Sequence, residues 1–161
     1  MTVDWRTRRT EAAARLAAAG IGPAAHEARL LVETVSGTTP AEWAEIAATE
    51  PPTRLAVRFE AMLVRREAGE PLQYVLGAWG FRNLDLMVDA RVLIPRPETE
   101  VVVEVAIGEA ERLGLRRARR RAVLADHAPA AVLADLGTGS GAIAIALATE
   151  LEAVEVWAAD A

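Results

Sequence analysis

Ala130-Ala-Val-Leu-Ala-Asp135-Leu-Gly137-Thr-Gly139-Ser-Gly141 is the stretch on which the fold turns. Ala130 to Asp135 reads as a short buried strand, small and branched apolar residues ending in an acid. Gly137, Gly139 and Gly141 then permit a tight turn, a close approach of a ligand to the backbone, and the packing of a following helix onto the strand. Ala142 to Leu151 continues as a helix of small residues with Ile143 and Leu147 one turn apart, and Val154 to Ala159 reads as a second strand. Strand, glycine loop, helix and strand make one βαβ unit, the opening of a doubly wound, Rossmann-like α/β sheet.

Upstream, residues 1–70 read as short helices. Trp5, Ala12, Leu16 and Ala19 fall on one helical face, with Gly20 placed to stop it. A second helix opens at Pro23, carries the face Ala24, Ala28, Leu31 and Val35, and ends near Gly37. Thr39-Pro-Ala-Glu42 has the form of a capping box opening a third helix through Trp43 and Ile46. Leu55, Phe59 and Met62 give the stripe of a fourth, closed by Gly69. The pattern changes at Glu70-Pro71. Leu84, Leu86 and Val88 alternate with Asp85, Met87 and Asp89, and Arg82-Asn83 is a turn from a strand holding Trp79 and Phe81, so a hairpin is expected. Beyond Pro95-Arg96-Pro97 the helical period returns through Val101, Val102, Val105 and Ile107.

Composition bounds the chemistry. At 161 residues with 52% apolar and 25% charged residues, the chain is globular and long enough to bury a real core, of small aliphatic residues because aromatics are only 4%. The absence of Cys excludes thiolate catalysis, disulfides and zinc ribbons, and His26 and His127 cannot build a histidine metal cluster, so no metal site is expected. All 18 basic residues are Arg, and a net charge of −5 argues against gripping nucleic acid through the overall field. The arginines between Arg112 and Arg121 have no interleaved aromatics and read as a solvated helix end or loop. The N-terminal arginines precede no apolar run, and no stretch approaches the ~20 apolar residues of a membrane span, so a soluble, cytoplasmic protein is expected. His26 and His127 read as ordinary surface residues and Phe81 as a hairpin core aromatic.

The glycine loop offers helix-start amides to a ligand, and Gly137-Thr-Gly139-Ser-Gly141-Ala142 fits even the relaxed dinucleotide fingerprint. Two acids narrow the choice. Asp160, after the second strand, stands where an acid accepts hydrogen bonds from ribose hydroxyls, which both cofactor classes require. Asp135, two residues before Gly137, would repel a pyrophosphate but attract the ammonium and sulfonium charges of S-adenosylmethionine. The cofactor expected is therefore S-adenosylmethionine, bound around Asp135, Gly137, Thr138, Gly139, Ser140, Gly141 and Asp160.

Three stretches carry a resemblance: Glu70-Pro-Leu-Gln-Tyr-Val-Leu-Gly77, Val92-Leu-Ile-Pro-Arg-Pro-Glu-Thr-Glu100 and Ala134-Asp-Leu-Gly-Thr-Gly-Ser-Gly141. With them the chain resembles the HemK/PrmC-type peptide chain release factor glutamine methyltransferases. The middle stretch is the specific one, since methyltransferases in general share only the glycine loop. The resemblance implies a helical, partner-docking domain over residues 1–70, a hairpin linker over 71–95, and the opening part of a methyltransferase domain over 96–161. It implies methyl transfer from S-adenosylmethionine to the side-chain amide of the Gln in the Gly-Gly-Gln loop of class I peptide chain release factors, with no direct nucleic-acid or membrane partner. It also suggests that the proline-fixed segment lines the active-site mouth, with Arg96, Thr99 and Glu100 facing it, although the prolines and first-turn acids equally suit a plain helix start.

The family's Asn-Pro-Pro-Tyr signature, which holds the target amide, is not present, and the only Asn is Asn83. The expectation is a truncated, inactive portion of the enzyme, with no catalytic residue of its own. Two rival readings are an adenine-amino methyltransferase acting on nucleic acid and a non-catalytic helical module that binds protein. The sequence leaves the oligomeric state open.

Overall fold

A computed structural model describes residues 3–117, 129 and 131–160. The chain divides into two compact units, Met1–Leu76 and Gly77–Ala161.

The first unit is helical. α1 (Trp5–Ala18) is opened by Asp4, whose carboxylate accepts the Thr7 amide at 2.8 Å. α2 (Ala24–Ser36) follows Pro23 and stops at Gly37, whose φ of 72° lies in the left-handed region. α3 (Trp43–Ile46) is a single turn, and α4 (Thr53–Glu67) is followed by α5 (Leu72–Leu76). Trp5, Ala12, Leu16, Ala28, Leu31, Val32, Phe59 and Leu63 form the centre of one core, with the Trp5 and Phe59 rings edge to face at 5.9 Å. Glu27, only 5% exposed, is neutralised by Arg66 at 2.6 Å, which ties α2 to α4.

Some expectations change. Ala19 is exposed and lies beyond the last residue of α1. Half of the Thr39–Glu42 capping box forms: the Glu42 carboxylate accepts the Thr39 amide at 2.8 Å, but the Thr39 hydroxyl donates to that carboxylate as well, and the Glu42 amide bonds the Thr39 carbonyl instead of the hydroxyl. A turn therefore occupies residues 40–42, and the helix begins only at Trp43. α5 had no sequence expectation. Pro71 starts it, accepting the amides of Tyr74 and Val75 on its carbonyl. With α5 in the first unit, the division falls between Leu76 and Gly77, six residues later than the pattern change suggests.

The second unit begins with the hairpin β1 (Ala78–Phe81) and β2 (Leu84–Met87), paired antiparallel with Phe81 opposite Leu84. α6 (Pro97–Arg112) follows, then β3 (Ala131–Leu136), α7 (Ala142–Glu150) and β4 (Val154–Ala159). β3 and β4 pair in parallel, Ala131 opposite Val154 through Leu136 opposite Ala159, so the expected βαβ unit is present. Phe81, Leu86, Val103, Ile107, Ala146 and Leu147 form this unit's core. The mixed architecture, helices first and then strand, glycine loop, helix and strand, is the expected α/β class.

Here too the burial differs in detail. Val101, Val102 and Val105 are exposed, and the inward stripe of α6 is Val103, Ile107 and Ala110. Apolar residues surround this helix, so period alone does not choose its face. β3 is not buried on both sides: Val132, Ala134 and Leu136 are exposed, because α7 covers one face of the strand pair and no described residue covers the other. Ala130, His127 and Arg119 to Arg121 lie outside the described residues.

Candidate functional site

The ends of β3 and β4 converge on the glycine loop, and the loop is held by both strands. Gly137, Gly139 and Gly141 have φ of 77°, 54° and 78°, values that any side chain would strain. At Gly141 this conformational demand is the reason for glycine, since a Cβ there would meet the Ile145 side chain of the same helix at 3.1 Å and not the strand.

Asp135 is almost fully buried at the carboxyl end of β3. Its Oδ2 accepts the Thr138 hydroxyl at 2.7 Å and the Ala144 amide at 3.1 Å. One carboxylate therefore closes the loop and caps the N-terminus of α7, where the helix dipole favours negative charge. Asp160 reaches the loop from β4, its Oδ2 accepting the Gly139 amide at 2.7 Å. The Gly137 and Thr138 amides both bond the Ala159 carbonyl, at 2.8 and 3.1 Å, and the Gly141 amide bonds the Thr138 carbonyl.

Of the amides expected to face a ligand, most of those in the glycine loop are committed within the protein, and at the helix start that of Ala144 is. The amides of residues 137, 138, 139, 141 and 144 all have protein acceptors. A loop built to cradle phosphate needs such amides turned outward. This one instead presents two carboxylates and a backbone braced by its own strands. Thr138 is drawn into the structure through its hydroxyl, and Ser140 is half-buried within the same turn.

The proline-fixed segment lies at the start of α6. Arg96 is the residue before the helix, extended at φ −96° and ψ 147° and exposed, with no ion pair among the described residues. Thr99 is half-buried, its amide on the Arg96 carbonyl at 3.0 Å. Glu100 is half-buried, and its Oε1 accepts the backbone amide of Arg82 at 2.9 Å. Arg82, read from sequence only as a turn residue, is the main polar hub of the second unit. It bonds Glu150 at 2.5 and 2.7 Å, Glu104 at 2.9 Å and the Glu100 carbonyl at 3.2 Å. Local sequence carries no signal for this hub, because its partners lie on two later helices. Phe81 is buried in the hairpin core and His26 is exposed beside Arg29. No group of described residues could hold a metal ion. Among them no helix is long and apolar enough to cross a membrane.

In chain order, a helical unit is followed by a hairpin and a helix, then a strand, a braced glycine loop, a helix and a second strand, with an acid at the end of each of these two strands. Comparison makes this specific. Residues 9–77 match the PrmC N-terminal domain. The release factor glutamine methyltransferase of Moorella thermoacetica is 39% identical over 150 residues, covering 93% of this chain and 48% of that protein. The enzyme of the same name from Bifidobacterium longum is 38% identical over 154 residues, with the same shares. That of Xylella fastidiosa strain 9a5c reaches 44% over 102 residues, 63% of this chain and 32% of its own. The chain is thus similar to part of the release factor glutamine methyltransferases, and it spans at most about half the length of these curated relatives.

Proposed function

We propose that this chain supplies the S-adenosylmethionine half-site and the partner-docking helical domain of a cytoplasmic enzyme that methylates release factors. The acceptor is the side-chain amide nitrogen of the Gln in the Gly-Gly-Gln loop of class I peptide chain release factors. The placing of two carboxylates, Asp135 and Asp160, on a glycine loop whose 137, 138, 139 and 141 amides already have protein acceptors supports the cofactor reading, because a pyrophosphate would meet negative charge and few outward loop amides there. The release-factor reading rests on similarity to the relatives above.

The residues present suit this cofactor. Asp160, whose Oδ2 steadies Gly139, places a carboxylate at the end of β4, where ribose hydroxyls would donate to it. Asp135, buried and hydrogen-bonded, contributes negative charge that complements an ammonium or sulfonium group. Gly137, Thr138, Gly139, Ser140 and Gly141 give the backbone a fixed contour against which the adenosyl moiety rests. S-adenosylmethionine when bound supplies an electrophilic methyl group on a positively charged sulfur. Arg96 and Thr99, at the start of α6, face the incoming protein substrate, with Arg96 held between two prolines. An amide nitrogen is a poor nucleophile, so the chain's contribution is positioning.

Calorimetry on the full-length enzyme checks the cofactor class. S-adenosylmethionine and its demethylated product are expected to bind, and Asp160→Ala to weaken both. Tighter binding of NAD than of either would overturn the reading. The activity itself is checked on the full-length enzyme, by radiolabel transfer to a release factor that is lost when the Gln of its Gly-Gly-Gln loop is replaced.

A further inference from the structure

Glu100 and Arg82 join two parts of the second unit that the sequence reading kept apart. Arg82 sits in the hairpin turn with φ of 53°, a left-handed conformation unusual for an arginine. Such a conformation persists when surrounding contacts over-determine it, and here they do. The Glu100 carboxylate takes the Arg82 backbone amide, and the Arg82 guanidinium donates to the Glu100 carbonyl, to Glu104 and twice to Glu150. The guanidinium is only 13% exposed and Glu150 17%, so the fork-to-fork pair is shielded from solvent. Glu104 also pairs with Arg117, which extends the network to the segment after α6.

The three elements that meet here matter for the site. The hairpin turn is one. The second is the first half of α6, which opens directly after Pro95-Arg96-Pro97. The third is the last residue of α7, the helix that begins at the glycine loop and is capped by Asp135. A rigid helix runs from the cofactor loop to Glu150, and from Glu150 the Arg82 side chain leads to α6.

We propose that Arg82 and Glu100 are positioning residues: together they fix the first turn of α6, with Arg96 and Thr99, at a set place relative to the glycine loop. Glu100 acts through the hairpin's backbone and does not contact the substrate. This rests on the functional reading above, in which the loop holds the methyl donor and the start of α6 meets the protein substrate.

Three variants separate this role from general stabilisation. Arg82→Gly suits the left-handed turn and removes the side-chain network. Arg82→Lys keeps the charge and loses the planar fork. Glu100→Ala removes the acceptor of the turn amide. Hydrogen exchange on the full chain is expected to rise about tenfold in the hairpin and in the α6 amides of residues 99–104 for Arg82→Gly and Glu100→Ala, and less for Arg82→Lys. Exchange at Gly137, Thr138 and Gly139, and affinity for S-adenosylmethionine by calorimetry, are expected to stay at the wild-type level. In the full-length enzyme, kcat for transfer to a release factor should fall with KM for S-adenosylmethionine unchanged. Unchanged exchange in residues 99–104 of Arg82→Gly would overturn the proposal. So would a parallel loss of cofactor affinity, which marks a merely structural role. Should the wild-type enzyme transfer no methyl group, the functional reading fails while the exchange and affinity measurements still decide the clasp.

Discussion

Asp135 serves two purposes that sequence reading presents as one. As a charge beside a glycine loop it argues for a cationic ligand, and as a hydrogen-bond acceptor it holds the Thr138 hydroxyl and the Ala144 amide. Removing it leaves a nearly buried helix amide without its acceptor, which costs about 1–3 kcal/mol. Asp135→Ala is therefore expected to lower the stability of the second unit by about that amount in urea unfolding. Asp135→Asn should lose less stability, because its carbonyl oxygen still accepts the amide, yet it should lose S-adenosylmethionine affinity with the charge. The acid's presence was legible in the sequence, as were the three glycines, because both act through residue type at fixed spacing. The inward commitment of the loop amides was not, because it depends on where the Ala159 carbonyl and the Asp160 carboxylate arrive from the next strand. Glu100 shows the converse: an acid in a recognisable motif whose partner is a backbone amide of the hairpin.

Helices were legible where one face only is apolar. In α2 the expected residues Ala24, Ala28, Leu31 and Val35 are all buried. In α6, Val or Ile stands on several faces, and tertiary packing alone picks Val103 and Ile107 over Val101, Val102 and Val105. The short α5 escaped because five residues are too few for a period to show. Ion pairs between helices are similarly hidden in the sequence, and one gives a pH expectation. Arg15 of α1 donates to Glu67 of α4 at 2.6 and 2.7 Å, and this hydrogen bonding holds the Glu67 carboxyl below its ordinary value of 4.5. The Arg65 hydrogen bonds depress Glu70 in the same way. A carboxyl depressed in the folded state contributes stability above its unfolded pKa and loses it as pH falls through the folded value. The helical unit is therefore expected to weaken below about pH 4.5, with a stability slope that Glu67→Gln makes shallower. A urea titration from pH 6 to pH 3 checks this, and a slope identical in the variant would refute the assignment.

Across the whole molecule, stability is unevenly shared. The first unit has a continuous core from Trp5 to Val75, a left-handed glycine stop at Gly37, and a buried ion pair between α2 and α4. In the second unit, β3 and β4 pair only with each other among the described strands. The sheet face away from α7 presents Val132, Ala134, Leu136 and Trp157 to solvent. A two-stranded parallel sheet with one bare apolar face gains little from burial, and its outer backbone groups lack ladder partners. Hydrogen exchange on the 161-residue chain is thus expected to show strong protection in α1, α2 and α4, and weak protection in residues 132–136. Residues 1–76 expressed alone should keep the helical protection pattern, because that core is internal to the unit. Association through the bare face would bury Leu136 and Trp157 and raise protection of β3 with concentration. The measurement is therefore made across a dilution series. Equal protection of β3 and α2 at the lowest concentration would refute this division of stability, whereas protection of β3 that falls on dilution while the helices hold theirs is the expected result.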